Sequence, residues 1–283
     1  MSGKGGTGKT SLTAAVSMLL DSKVLVDCDV DAADLHLLLK PTIRKEFPFY
    51  GGKLASINEK KCIQCGRCVD VCRFNAITSD LKVISRFCEG CSACFYQCPN
   101  QAIEMLPKLT GVWYESETRG GTMVHARLNI AEDNSGKLVY EVKNYARKLA
   151  NEQSIDLILV DGPPGIGCPA ISSVTGSDFV VLVTEPTISA FHDVERLVGL
   201  VEHFHIPMGA CINKCNVNSE IAVLMKEYFS QKGIAILAEI PYDRIFNESQ
   251  LKGLTLIEMG NKDFPKLITD FWEKIKRQLI GKD

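Results

Sequence analysis

The sequence predicts an α/β fold: a parallel β-sheet with helices on both faces, organised around a phosphate-binding loop and interrupted by a small α+β insert rich in cysteine. Three observations predict it. Residues 3–10 read Gly-Lys-Gly-Gly-Thr-Gly-Lys-Thr, a match to G-x-x-x-x-G-K-[ST]. Short apolar runs at 24–27, 157–161, 179–184 and 208–213 are separated by helical stretches, the alternation of a parallel sheet. Eight cysteines crowd between Cys62 and Cys98, interrupting that alternation. A chain of 283 residues with 46% hydrophobic content can bury a sizeable core.

Taken in order, the loop comes first. Gly3, Gly5, Gly6 and Gly8 let backbone N–H groups approach phosphate oxygens without side-chain clash. Lys9 is placed to neutralise phosphate charge and the Thr10 hydroxyl to ligate Mg²⁺, with Lys4 and Thr7 completing the loop. Residues 11–20, from Ser11, read as the helix whose N-terminus faces the phosphates. The run 24–27 ends in Asp27 and is followed by Asp29; the run 157–161 ends in Asp161. Ligands of parallel α/β sheets bind at the carboxyl ends of strands, so these acids can share one crevice. Only Met1 and Ser2 precede the loop, where an apolar strand is expected. That strand belongs in the sheet interior, so a slot between paired strands is expected here, together with an apolar run upstream of a start placed too late or a trimmed chain.

Gly51-Gly52 reads as a turn into the insert (57–106) and Pro107 as its exit, leaving 1–56 and 107–283 as one discontinuous domain. Within the insert, Cys62, Cys65, Cys68 and Cys72 repeat after a shift of 26 residues as Cys88, Cys91, Cys94 and Cys98. The spacing is that of two-cluster, bacterial-type ferredoxins, in which each run gives its fourth thiolate to the other cluster. By that rule one 4Fe–4S cluster takes Cys62, Cys65, Cys68 and Cys98, and the other takes Cys88, Cys91, Cys94 and Cys72. Duplicated triplets fit zinc poorly, and no secretory leader precedes them to favour disulfides. Pro99 follows Cys98, but Arg73 follows Cys72, a cation expected to favour the reduced cluster. Residues 109–130 alternate like a hairpin around Gly120-Gly121, and a helix is expected over 135–152 from Ser135. At the C-terminus, Phe264, Leu267, Ile268, Phe271, Ile275 and Leu279 share a helical face that is read as packed on the sheet. Cys28, Cys168, Cys211 and Cys215 read as small buried hydrophobes. His203 and His205 form no zinc template.

The segment Gly3-Lys4-Gly5-Gly6-Thr7-Gly8-Lys9-Thr10 resembles the deviant Walker A loop of the MinD/ParA/nitrogenase iron protein family, whose signature is the extra lysine, here Lys4. The likeness covers nearly the whole chain outside the insert, and is nearest to the branch with an inserted ferredoxin domain found in the orange protein complex. It implies a MinD-like P-loop fold and a Mg²⁺-dependent ATPase. It implies that Asp29 orients the attacking water, that Thr10, Asp27 and Asp161 serve Mg²⁺, and that Lys4 reaches the phosphates of a second subunit. Asp161-Gly162-Pro163-Pro164-Gly165 looks like Walker B and the second switch; Asn213 and Pro241 fall where the family flanks the adenine. The implied partner is a second copy or a paralogue in a nucleotide sandwich. The implied cofactors are ATP, Mg²⁺ and two 4Fe–4S clusters. Three functions are expected from the combination: ATP-gated electron transfer to an acceptor protein, ATP-dependent assembly or carriage of iron–sulfur or metal clusters, or spatial positioning with structural clusters.

Formal charge is −2 with pI about 6.2, so no broad basic surface is expected and nucleic acid is not the expected partner. Two oxidised clusters with their thiolates would bring the charge to about −6. No apolar stretch is long enough to span a membrane, membrane association is not expected, and a cytoplasmic location is.

Overall fold

A computed structural model describes residues 1–130, 132, 134–260 and 263–280. The helices are α1 (Lys9–Ser17), α2 (Leu35–Leu39), α3 (Arg67–Val71), α4 (Ala93–Gln97), α5 (Ser135–Glu152), α6 (Cys168–Val174), α7 (Ile188–His203), α8 (Ser219–Gln231), α9 (Ile245–Lys252) and α10 (Asp263–Ile280). The strands are β1 (Val24–Asp27), β2 (Thr42–Ile57), β3 (Ile103–Thr118), β4 (Gly121–Leu128), β5 (Ile158–Asp161), β6 (Val180–Thr184), β7 (Met208–Asn213) and β8 (Ala235–Ile240). The chain forms two compact units: Met1–Glu46 with Trp113–Arg127 and Ser135–Asp283, and Phe47–Val112 with Leu128–Asn134. The second unit is wider than the expected insert.

The first unit is α/β, but its strands lie in two sheets, one ordered β2-β3-β4-β1-β5 and one ordered β6-β7-β8. β1 pairs in parallel with both β4 and β5, and β7 pairs in parallel with both β6 and β8. The expectation of a purely parallel sheet needs correcting. β3 and β4 are joined by the tight turn Arg119-Gly120, where Thr118 Oγ1 donates to Gly121 O at 2.7 Å, so they run antiparallel and the larger sheet is mixed. β1 is buried at every position, as a central parallel strand requires. One core cluster gathers Leu12, Val16, Leu237, Ile268, Phe271 and Trp272, so the apolar face of α10 is spent on packing against the rest of the unit. A second gathers Leu182, Val194, Leu197, Met225 and Phe229 around β6 and β7.

Met1 and Ser2 lie between β5 and β6. Ser2 bridges Pro164 in parallel, Gly165 N–H donates to Ser2 O at 3.0 Å, and Val183 N–H donates to Met1 O at 2.8 Å. Behind Met1 lies a cavity of about 400 Å³ lined by β5, β6, α1, α10, α5 and α6. The expected slot is therefore present.

In the second unit the glycine pair and the proline behave differently from expectation. Gly51-Gly52 lies inside β2 rather than in a turn. A Cβ on Gly51 would come within 2.5 Å of Thr110 Oγ1 and 2.7 Å of the Phe49 ring, so close approach explains the glycine. Pro107 lies inside β3, and β4 is only eight residues long and runs out before reaching it, so the missing N–H faces no partner strand. The 26-residue repeat is structural as well as sequential. Positive φ recurs at Gln64 and Gly90, at Gly66 and Ser92, and at Asn75 and Gln101, and α3 repeats as α4.

Candidate nucleotide site and cysteine module

The loop 3–8 leads directly into α1, whose first residue is Lys9. Gly6 and Gly8 take φ of 78° and 88°, the left-handed region in which a side chain is strained. A Cβ on Gly8 would also stand 2.4 Å from Asn213 Nδ2. The Thr7 hydroxyl is buried with no hydrogen-bond partner, so a loop otherwise held by the fold retains an unsatisfied polar atom.

Parallel pairing of β1 and β5 sets Asp27 opposite Asp161, so two strands deliver two buried carboxylates to the foot of the loop. Lys9 Nζ donates to Asp161 Oδ1 at 2.7 Å, Thr10 Oγ1 to Asp161 Oδ2 at 2.7 Å, and Thr13 Oγ1 to Asp161 Oδ1 at 3.2 Å. Asp27 accepts from the N–H groups of Asp29 at 3.0 Å and Leu35 at 3.3 Å. Burial, with the Asp161 carboxylate beside it, pushes Asp27 up to about 8. Burial opposes the Lys9 ammonium, but Asp161 more than offsets it and holds Lys9 above its ordinary range. One ammonium thus faces two buried carboxylates, and the remaining charge calls for a proton or a second cation. Asp29 is half-buried, accepts from Ala32 N–H at 3.2 Å, and is raised by burial.

Asn213 is buried, donates to Thr7 O at 2.8 Å and accepts from Lys214 N–H at 2.9 Å, so its amide braces the loop. Pro241 is exposed. Glu185, absent from the sequence-based set, pairs with Lys4 at 2.7 Å and with Lys214 at 2.6 Å. Burial works to raise the Glu185 carboxyl, but hydrogen bonds from Lys214 and Lys4 hold it below the usual range. Its position just past the carboxyl end of β6 was the available signal. Lys4 also donates to Thr187 Oγ1 at 3.3 Å and Ser189 Oγ at 3.4 Å, so the signature lysine is held within its own subunit. Ser11 is buried in α1 and accepts from Gln250 Nε2 at 3.4 Å.

In the second unit, Cys62, Cys65, Cys68 and Cys98 line one small cavity, and Cys72, Cys88, Cys91 and Cys94 line another. Backbone N–H groups donate to sulfur from Gln64 to Cys62 at 3.4 Å, from Ala76 to Cys72 at 3.3 Å and from Ala102 to Cys98 at 3.2 Å. Such donors favour thiolate over thiol, so the chemistry of both cavities fits an iron–sulfur cluster. Among the described residues no three His, Cys, Asp or Glu side chains converge tightly enough for a single metal ion. All twelve thiols are free. Outside the module, Cys28 and Cys211 are buried as expected; Cys168 is exposed and Cys215 half-buried, which corrects the reading of all four as buried. Cys168 begins α6 behind the tight turn at Gly165–Gly167, and a helix start there faces solvent.

The sequence profile of the CbiA group, the CobQ/CobB/MinD/ParA nucleotide binding domain, matches residues 1–257. The chain belongs to this family. An uncharacterized protein of Methanocaldococcus jannaschii is 36% identical to this MinD-like chain over 222 residues, covering 77% of it and 78% of the relative. The chloroplastic septum site-determining protein minD homolog of Arabidopsis thaliana is 26% identical over 264 residues, covering 90% of the chain and 67% of the relative. The septum site-determining protein MinD of Pyrococcus horikoshii, solved in complex with Mg-ADP, aligns with a TM-score of 0.61 at 19% identity over 100% of this chain and 96% of that one. At that identity the likeness shows the shared fold. No helix among the described residues is long and apolar enough to cross a membrane.

Proposed function

We propose that the chain is a Mg²⁺-dependent ATP switch of the MinD/ParA type, hydrolysing ATP as a dimer with itself or a paralogue. The observation that carries this reading is the convergence of Lys9, Thr10, Asp27 and Asp161 at the foot of a glycine loop. Phosphates would be cradled by residues 3–11, with Lys9 turning from Asp161 toward them. Thr10, Asp161 and Asp27 would hold Mg²⁺, which supplies charge neutralisation where two buried carboxylates leave an excess. Asp29, the half-buried acid beside them, would orient the attacking water. Lys4 would act on the second subunit, which requires it to leave Glu185.

Two outputs of the switch have support. Relatives with a stated role are septum site-determining proteins, which favours spatial positioning over electron transfer. The cysteine module favours a redox output, electron transfer to an acceptor protein or carriage of a cluster, because two complete four-cysteine cavities exceed what a structural staple needs. Two 4Fe–4S clusters bound there would supply one-electron chemistry. Anaerobic purification with iron and sulfide counts tests the module: about eight irons per chain support it, and iron-free protein ends the redox reading. ATPase rates with and without dithionite, and with and without anionic liposomes, then separate the outputs.

A further inference from the structure

α2 has five residues, far below the length at which an isolated helix persists. Its body is anchored by Leu35, Leu38 and Leu39, which pack with Ala14, Leu25 and Met123. Its N-terminal end is tied to the acids of the nucleotide site, because Leu35 N–H donates to Asp27 Oδ2 at 3.3 Å. Between β1 and α2 lies the segment 28–34, which carries Asp29 and closes on itself where Ala32 N–H donates to Asp29 Oδ1 at 3.2 Å. The place of Asp29 is therefore set by β1 on one side and by α2 on the other.

The C-terminal end of α2 meets the C-terminal end of α9. A Cβ on Gly253, which caps α9 at φ 59°, would come within 2.6 Å of Lys40 Cε and 3.1 Å of Leu37 O. Two helix ends that both present carbonyl oxygens repel unless a cation stands between them. Arg119, in the turn between β3 and β4, is that cation. Its Nη2 donates to Leu38 O at 2.5 Å and to Gly253 O at 3.0 Å. Its Nε donates to Glu258 Oε1 at 2.8 Å and its Nη2 to Glu258 Oε2 at 3.0 Å, which fixes the plane of the guanidinium. Glu258 is itself held, accepting from Thr255 N–H at 2.7 Å and Thr255 Oγ1 at 2.8 Å. α9 in turn reaches the phosphate loop. Its Gln250 donates to Ser11, and its Phe246 ring lies 3.5 Å from where a Cβ on Gly8 would stand.

We propose that Arg119 is a positioning residue for hydrolysis: by locking the C-terminal ends of α2 and α9 together, it holds the segment 28–34, and with it Asp29, in place against the loop. The role of Asp29 in hydrolysis rests on the ATP-switch reading above. The hydrogen bonds of Arg119 run to the two helix ends and to Glu258, so it acts on the site through the helices it joins. The Arg119–Glu258 pair is 28% and 24% exposed at its side chains, and such a pair contributes little to stability by itself. The weight of Arg119 therefore lies in the two carbonyls it bridges. The planar fork is what the place demands: a lysine ammonium supplies the charge, but cannot hold two carbonyls and a carboxylate from one rigid group.

The test uses the full-length chain with Arg119→Met, and with Arg119→Lys as a milder change that keeps the charge and loses the fork. Residue-resolved amide exchange without nucleotide should quicken about tenfold at Asp29, Ala32 and Leu35 in the methionine variant and about threefold in the lysine variant, with Ala210 and Ile212 in β7 unchanged. In steady-state hydrolysis kcat should fall about tenfold while KM for ATP stays within about threefold, because the loop keeps its shape and the acid that directs water does not. Equal quickening in β7 overturns the proposal, since Arg119 would then be a general stabiliser. So does unchanged exchange at Asp29, Ala32 and Leu35, or a raised KM with kcat intact. A parent chain that hydrolyses no ATP sinks the switch reading instead, and the exchange pattern alone then decides whether Arg119 holds the Asp29 segment.

Discussion

Removing the Lys9 ammonium while keeping its length, as Lys9→Met, isolates the charge balance at the foot of the loop. Lys9 and Asp161 are 7% and 1% exposed, and their ion pair measures 2.7 Å. Burial and the Asp161 carboxylate push Asp27 up to about 8, so Lys9 faces a buried acid pair. Breaking a buried pair by deleting one partner costs about 3–5 kcal/mol. The Thr10 and Thr13 hydroxyls still donate to Asp161, which favours the low end, about 3 kcal/mol. Lys9 also holds down Asp27, which burial pushes up to about 8, so without the ammonium the buried acid pair takes up protons more readily and the penalty shrinks as pH falls. Urea unfolding of the nucleotide-free protein, followed by tryptophan emission, reads this, because Trp113 and Trp272 both belong to the first unit. The deficit relative to the parent should be about 3 kcal/mol at pH 7.5 and clearly smaller at pH 5. A deficit below ~1 kcal/mol at pH 7.5, or one that is the same at both pH values, would refute the reasoning.

Gly8→Ala should lower affinity for a fluorescent ATP analogue at least tenfold, because the loop would have to abandon both its left-handed turn and its contact with Asn213; unchanged affinity removes the loop's geometric role. Lys4→Ala should abolish steady-state ATP hydrolysis with only a modest change in binding, and intact turnover would rule out action across a dimer. Glu185→Gln should loosen Lys4 and raise the ATPase rate at limiting protein concentration; an unchanged rate means the ion pair does not restrain the lysine. His125 is buried beside Ser116 Oγ at 2.9 Å, and burial pulls it down to about 4. The unfolded imidazole takes its proton near pH 6.5, so stability is complete above that value and falls by about 3 kcal/mol toward pH 4. Calorimetry of His125→Gln should show that acid-linked step missing.

What the sequence made legible follows from how local each signal is. The phosphate loop, the acids closing β1 and β5, and the strand at 208–213 are short-range patterns that need no partner to be recognised, and each occurs where its pattern placed it. The duplicated cysteines were equally readable as a repeat, because it recurs in the backbone as well as in the spacing: glycine, asparagine or serine stands at most of its left-handed positions. What sequence misread depended on the neighbouring strand. Gly51 signals turns in isolation, and only Thr110 on β3 shows that it is there for clearance. Asn213 ends its strand as expected, and its bond to the carbonyl of Thr7, more than 200 positions away in the chain, is visible only in the fold. Glu185 was invisible for the same reason: an acid after a strand is common, and its meaning comes from two lysines that only the fold brings within 2.7 Å.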